Sequence, residues 1–195
     1  RHISYLEWWF NPKSDFFHYD TSNKELNLNP KQINHCWDRN QSIALELIAA
    51  DFIVAPTEWQ RTQLPPRFRD NCKVIPDGVD IDKLTPSRLS DRSLHPLLTY
   101  GTRGMEPLRG FPQFIRALPP VLKSIPNLTV QIAGEDEVNY LGSAPNGYKT
   151  WGSWAKKYLD VNDVGDRITW LGYLASGQYK KWLASSWCHV YLTHP

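Results

Sequence analysis

The sequence lacks the features that mark several common classes of protein. Among its 195 residues there are only three cysteines, Cys36, Cys72 and Cys188, which lie far apart and form no CxxC pair. An odd number of cysteines at this spacing argues against a zinc site or a disulfide framework and favours a reducing compartment. The six histidines show no ligand spacing either. The spacing of these residues therefore predicts no metal site.

Long apolar runs and clusters of positive charge are also missing. A membrane-spanning helix needs about 20 apolar residues, and the best run, 43–55, contains Glu46 and Asp51. The net charge is only +2, with no basic block, which argues against nucleic acid as a partner. We expect a cytoplasmic protein, and the sequence leaves open a peripheral contact with the inner face of the membrane.

Tryptophan, by contrast, is abundant, with nine residues. Indole rings can stack on sugars, although core packing is the simpler explanation. After Pro96 the pattern alternates regularly between apolar strands and amphipathic helices. Strands are predicted at 97–100, 128–133, 167–171 and 188–193, and helices at 111–125, 148–159 and 176–185. This alternation is typical of βαβ units in a parallel sheet.

The first part of the chain shows the same alternation less clearly. Short strands are predicted at 3–6, 51–55 and 72–75. Asn29 before Pro30 marks the start of a helix that runs to Ala49, and Thr57 with Gln60 has the spacing of a second helix start. The polar stretch 80–96 has no period and is typical of a linker. The predicted fold class is α/β with parallel sheets in two domains, 1–88 and 89–195.

The most informative segment is Gly101–Gly110, which we call the arginine segment. It follows a predicted strand and precedes a helix, and ligands of open parallel sheets bind at the carboxyl ends of strands. Gly101, Gly104 and Gly110 would let the backbone approach a ligand closely. The next helix would point free N–H groups at an anion, and Arg103 and Arg109 can grip phosphate oxygens. The segment therefore predicts a diphosphate site.

Three weaker candidates follow other strands. Gly134 and Glu135, with the acids after them, either bond to sugar or ribose hydroxyls or cap the next helix, and the residues leave both readings open. Gly172, Tyr173 and Leu174 are candidates for holding a nucleobase. Glu7, beside Trp8 and Trp9, is a candidate on the acceptor side.

Taken in order, these segments resemble the GT-B glycosyltransferases of family 4, the retaining "group 1" enzymes. The resemblance covers roughly residues 50–195 and rests on the following stretches: 50–60 (ADFIVAPTEWQ), 74–80 (VIPDGVD), the arginine segment, 133–136 (AGED), 171–174 (LGYL) and 189–195. It implies two Rossmann-like domains facing a cleft, the first binding the acceptor and the second the nucleotide sugar. The second charged position of the phosphate loop, commonly lysine in the family, is Arg109 here.

The resemblance implies a hexosyltransferase that needs no metal and no other cofactor. Such an enzyme moves a sugar from a nucleotide-diphosphate donor to a glycan, a lipid or another acceptor, as in polysaccharide biosynthesis. The family carries two glutamates, seven residues apart, after the strand that ends near Thr193, whereas this sequence ends at Pro195. No catalytic residue is therefore assigned. We expect both domains to be incomplete and the chain alone to be inactive and prone to self-association. The alternative is a non-catalytic module that binds sugar nucleotides.

Overall fold

The computed structural model describes residues 1–11, 29–82, 92–140 and 143–193. The chain divides into two compact units, Arg1–Asp80 and Ile81–His194. The boundary expected at residue 88 lies outside the described residues. Each unit carries its own parallel sheet, which confirms the predicted α/β class.

The first unit is a three-stranded parallel sheet in the order β1-β2-β3. Its elements are β1 (Ile3–Tyr5), α1 (Pro30–Ala49), β2 (Phe52–Ala55), α2 (Glu58–Gln63), α3 (Pro66–Arg69) and β3 (Cys72–Val74). Its core is a small cluster that includes Leu47 of α1, Ile53 of β2 and Leu64. Since only one face of each strand contributes to this cluster, Ile3 and Phe52 remain about half exposed or more.

Local signals set the helix starts in this unit as the sequence predicted. The Asn29 side chain accepts a hydrogen bond from the Gln32 backbone N–H at 3.0 Å, and the Gln32 side chain accepts one from the Asn29 N–H at 2.9 Å. Thr57 accepts from the Gln60 N–H at 3.2 Å. The short helix α3, which begins at Pro66, has no counterpart among the elements that the sequence predicts.

The second unit is a four-stranded parallel sheet in the order β6-β5-β4-β7. Its elements are β4 (Leu97–Gly104), α4 (Phe111–Ser124), β5 (Thr129–Glu135), α5 (Trp151–Val161), β6 (Ile168–Gly172), α6 (Ser176–Ser185) and β7 (Cys188–Val190), with 3-10 turns at Pro107–Arg109 and Gly165–Arg167. One large apolar cluster joins α4 and α5 to the sheet, with Tyr100 stacked on Phe114 at 4.4 Å between ring centroids.

Three boundaries in this unit differ from the sequence prediction by three or four residues, and the others by two at most. Helix α5 begins at Trp151, not 148, because Thr150 accepts from the Ser153 N–H at 3.1 Å and fixes the start there. Strand β7 ends at Val190, before the expected 193. Strand β4 continues past Tyr100 to Gly104, because it keeps pairing with β5 through a register shift between Gly101 and Gly104.

Candidate functional site

A cavity of about 490 Å³ opens at the carboxyl ends of the second unit's strands. It brings together seven residues that the sequence singled out: Gly101, Arg103, Arg109, Gly134, Glu135, Tyr173 and Leu174. It adds seven that were not individual candidates: Tyr100, Thr102, Ala133, Tyr179, Tyr191, Leu192 and Thr193. These residues come from β4, β5, α6 and the segments after β6 and β7, so the parallel sheet gathers distant parts of the sequence at one edge.

The two arginines reach the cavity from different kinds of backbone. Arg103 lies within β4, not after it as expected, and is exposed. Arg109 lies in the 3-10 turn before α4, with only 22% of its side chain exposed. Two guanidinium groups in one concave, partly apolar site give it a positive character that suits a multiply charged anion.

Tyr140 joins the two arginines. Its ring lies under the Arg109 guanidinium at 5.0 Å from the centroid, and its hydroxyl accepts from Arg103 Nη1 at 3.4 Å. Arg109 Nη1 also lies 3.5 Å from Thr193 Oγ1. The positive face of the cavity therefore has internal partners that restrict where each guanidinium can point.

Glu106 is the main feature that sequence reasoning missed. Its side chain is fully buried, at 0% exposure, and its Oε2 accepts the backbone N–H groups of Asn139 and Tyr140 at 3.0 and 2.9 Å. Its Oε1 lies 3.9 Å from Arg109 Nε. An acid next to Pro107 gives no burial signal in the sequence, and the backbone groups that donate to it lie more than 30 residues away, so no local pattern could have identified it.

The glycines of the arginine segment approach protein atoms and not open space. A Cβ at Gly104 would lie 2.2 Å from Asn139 Nδ2, and one at Gly110 would lie 2.5 Å from Leu192 Cβ. Gly110 also has a left-handed φ of 67°, which favours glycine. These two glycines therefore allow close internal packing beside the cavity, where the sequence suggested close approach to a ligand, and neither lines the cavity itself.

The start of α4 offers fewer free N–H groups than the sequence suggested. The N–H of Gly110 donates to the Pro107 carbonyl at 2.9 Å, and that of Phe111 donates to the Glu106 carbonyl at 3.4 Å. Pro112 has no N–H to give. Because the preceding 3-10 turn uses these donors, the positive charge of the site comes mainly from the guanidinium groups.

Gly134, Glu135 and Asp136, at the end of β5 and just after it, have different roles in the structure. Gly134 has a φ of 133°, and a Cβ there would lie 2.0 Å from the Thr102 carbonyl oxygen, so it permits β4 and β5 to pass closely. Asp136 accepts from Thr150 Oγ1 and from the Gly152 N–H, both at 2.7 Å. Asp136 therefore caps α5, whereas Glu135 lines the cavity.

A second cavity of about 370 Å³ adjoins the first and shares Gly134, Glu135 and Tyr173 with it. Gly172 lines this second cavity and not the first. Trp170 lies beneath Lys156, whose Nζ is 5.3 Å from its ring centroid. The nucleobase candidates of the sequence thus lie along the two adjoining cavities, with Leu174 in the first.

Other candidates fall outside these cavities. Glu7 follows β1 in the first unit, where it is exposed and its carbonyl accepts from Gln60 Nε2 at 3.0 Å. The three cysteines are free thiols. In the described part of the chain, no group of three or more His, Cys, Asp or Glu side chains is arranged to hold a metal ion. The described helices include none with the length and apolarity to cross a membrane.

Two parallel α/β units, with a basic cavity at the carboxyl edge of the second, define the class of fold as that of GT-B glycosyltransferases, and solved structures with this fold match the chain. Residues 1–84 match the model of the glycosyl transferase family 4 group. The fold implied by the resemblance is therefore confirmed, and residues 1–84 are similar to the family 4 group, a match that overlaps the stretches quoted above only from residue 50 onward. No curated protein sequence matches the chain significantly.

Three solved structures illustrate the likeness. Sucrose-phosphate synthase from Thermosynechococcus elongatus is 15% identical, with a TM-score of 0.62 over 95% of this chain and 43% of its own. Anabaena HepE, in complex with UDP and glucose, is 19% identical, with a TM-score of 0.61 over 83% of this chain and 43% of its own. A TarM mutant from S. aureus, in complex with Fondaparinux, alpha-GlcNAc-glycerol and UDP, is 16% identical, with a TM-score of 0.56 over 77% of this chain and 27% of its own. The chain thus spans less than half the length of each.

Proposed function

We propose that the protein containing this chain is a retaining glycosyltransferase that takes a sugar from a nucleotide-diphosphate donor. The observation that carries the proposal is the placement of Arg103 and Arg109 on one cavity at the carboxyl edge of the second unit's sheet. Arg103 and Arg109 hold the diphosphate, Glu135 faces the sugar or ribose, and Tyr173 and Leu174 face the base. The fold supports the assignment, and two solved structures of the same fold contain UDP.

The two arginines would serve the chemistry as well as binding. When the bond between the sugar and the diphosphate of the donor breaks, negative charge develops on the departing diphosphate. Fixed positive groups stabilise that charge. In the proposed reaction the two guanidinium groups supply this positive charge, and no metal ion is needed. The acceptor is a glycan, a lipid or another hydroxyl compound, and the first unit, which contains Glu7, is proposed to bind it.

The test uses the full-length protein and the affinity for UDP, GDP and ADP measured by calorimetry. Arg103→Ala and Arg109→Ala should each weaken binding of the preferred diphosphate by on the order of 1.5–3 kcal/mol, the contribution of a charge-assisted hydrogen bond. Lys123→Ala is the control, because Lys123 is an exposed cation in the last turn of α4 and does not line the cavity. Unchanged affinity in the double arginine variant would refute the assignment.

A transfer assay on the same preparation addresses the alternative of a non-catalytic module. Transfer or donor hydrolysis that depends on both arginines supports the enzyme, and retention of anomeric configuration in the product tests the retaining mechanism. Tight binding of a nucleotide sugar with neither transfer nor hydrolysis would favour the binding module.

A further inference from the structure

Arg103 and Arg109 are long, flexible side chains whose bound positions must be selected from many rotamers. Ordering such a side chain on binding costs conformational entropy, and a side chain held in place beforehand loses less. The structure shows a set of contacts behind both guanidinium groups. These contacts converge on one aromatic side chain and one buried carboxylate.

The carboxylate is that of Glu106, which is 0% exposed. Its Oε2 accepts two consecutive backbone N–H groups, those of Asn139 and Tyr140. This pair of bonds ties the segment after β5 to the arginine segment. Because both donors are backbone groups, Glu106 fixes the path of the chain at Tyr140 and therefore the position of the Tyr140 side chain.

Tyr140 then contacts both arginines. Its ring lies 5.0 Å from the Arg109 guanidinium carbon, and its hydroxyl lies 3.4 Å from Arg103 Nη1. Glu106 Oε1 approaches Arg109 Nε at 3.9 Å, on the edge of the guanidinium away from Nη1 and Thr193. Arg109 thus has an aromatic ring on its face, a long hydrogen bond of 3.5 Å to Thr193 Oγ1, and an ion-pair contact of 3.9 Å with Glu106 that is too long for a hydrogen bond.

We propose that Glu106 and Tyr140 are positioning residues that pre-orient Arg103 and Arg109 for the donor diphosphate. This inference rests on the proposed function, since it assumes that the two arginines bind the diphosphate. Neither residue touches the donor in this scheme: Tyr140 and Glu106 line neither cavity. They act through the arginines, so they should affect the affinity for the diphosphate group and leave the affinity for the nucleoside unchanged.

The experiment measures, in the full-length protein, the ratio of the affinity for a nucleoside diphosphate to that for the matching nucleoside. The probes are UDP with uridine, GDP with guanosine and ADP with adenosine, of which the preferred pair is used. Tyr140→Leu removes the ring and the hydroxyl. Glu106→Gln keeps one oxygen for the two backbone N–H groups and places an uncharged amide towards Arg109. Each change should lower the ratio about threefold to tenfold, through a weaker diphosphate affinity.

Two further variants complete the experiment: one separates the Tyr140 ring from its hydroxyl group, and the other is a control. Tyr140→Phe keeps the ring under Arg109 and removes only the long hydrogen bond to Arg103, so it should lower the ratio less than Tyr140→Leu. Tyr148→Leu is the matched control, because Tyr148 is 39% exposed, close to the 47% of Tyr140, and lines neither cavity. It should leave the ratio unchanged.

The outcomes divide cleanly between the two proposals. If the wild-type protein binds none of the three diphosphates, or if the arginine variants bind like the wild type, the proposed function fails and this inference with it. If the arginine variants lose affinity while Tyr140→Leu and Glu106→Gln keep the wild-type ratio, only the positioning role fails. A parallel loss of nucleoside and diphosphate affinity would also overturn it, since that indicates general damage to the fold. If Glu106→Gln does not fold, the half-exposed Tyr140 decides alone.

Discussion

Replacing Gly110 with alanine tests why the turn before α4 ends in glycine. Two separate penalties are expected. The left-handed φ of 67° is unfavourable for any residue with a Cβ, by about 1 kcal/mol. In addition, the new Cβ would lie 2.5 Å from Leu192 Cβ and 2.6 Å from the Leu192 carbonyl oxygen. Carbon atoms pack at about 3.5–4.0 Å, so Leu192 must move.

A second glycine allows the two penalties to be separated. Gly172 has nearly the same φ, 66°, but nothing lies within 4 Å of a Cβ placed there. Gly172→Ala should therefore cost only the backbone strain, about 1 kcal/mol of unfolding free energy. Gly110→Ala should cost that amount plus about 1–3 kcal/mol for overpacking, so the two variants should differ by about 1–3 kcal/mol.

The assay is chemical denaturation of both variants and the wild type. The free energies of unfolding are compared with one common value for their dependence on denaturant concentration. Because Leu192 lines the first cavity and Gly172 does not, Gly110→Ala should also weaken diphosphate binding, whereas Gly172→Ala should not do so through this cavity. Equal losses of stability for the two alanine variants would refute the reasoning, since they would show that the contact with Leu192 carries no cost.

Two predictions concern the first unit. Asn40 is 3% exposed, and its side chain accepts from the Phe10 N–H at 3.0 Å and donates to the Phe10 carbonyl at 2.8 Å. Asn40→Ala should lower the free energy of unfolding by about 2 kcal/mol, at about 1 kcal/mol for each lost hydrogen bond. The control is Asn34→Ala, on the exposed side of α1, which should change the free energy of unfolding by less than about 0.5 kcal/mol. Similar losses for the two variants would contradict the prediction. Tyr5 donates its hydroxyl proton to the Asp77 carboxylate, which raises the pKa of Tyr5 to about 12. Since the folded state favours the neutral phenol, the contribution of this hydrogen bond to stability is complete below about pH 10 and is lost as the pH rises through about 12. Asp77→Asn should lower the pKa of Tyr5, measured by ultraviolet titration with Tyr5→Phe as the reference. An unchanged pKa would show that the hydrogen bond is absent.

The sequence predicted those elements whose signals are local. Asn29 and Thr57 each bond to a group three residues ahead, so the information for a helix start lies within one turn. The strands of both sheets were predicted because buried parallel strands are short apolar runs between breakers. The convergence of the arginine segment with Gly134 and Leu174 followed from the general rule that the carboxyl ends of parallel strands share an edge.

The elements that the sequence did not predict depend on distant partners. Strand β4 extends to Gly104 only because β5 pairs with it as far as Glu135, and two glycines with an arginine do not read as a strand. The burial of Glu106 depends on backbone groups at 139 and 140, which donate to its carboxylate. Such a chain of contacts has no fixed spacing in sequence, so it is visible only once the sheet has brought its members together.

The choice of arginine at position 109 makes physical sense within these contacts. The family resembled by the sequence commonly has lysine there, and an ammonium group would carry the same charge. A guanidinium group is planar, so it can lie flat against the Tyr140 ring while its separate N–H groups point towards Glu106 and Thr193. A lysine has a single nitrogen and could satisfy only part of this arrangement. Because the N–H groups of Gly110 and Phe111 are already used by the preceding turn and Pro112 has none, the start of α4 offers few donors, and an always-charged arginine compensates for them.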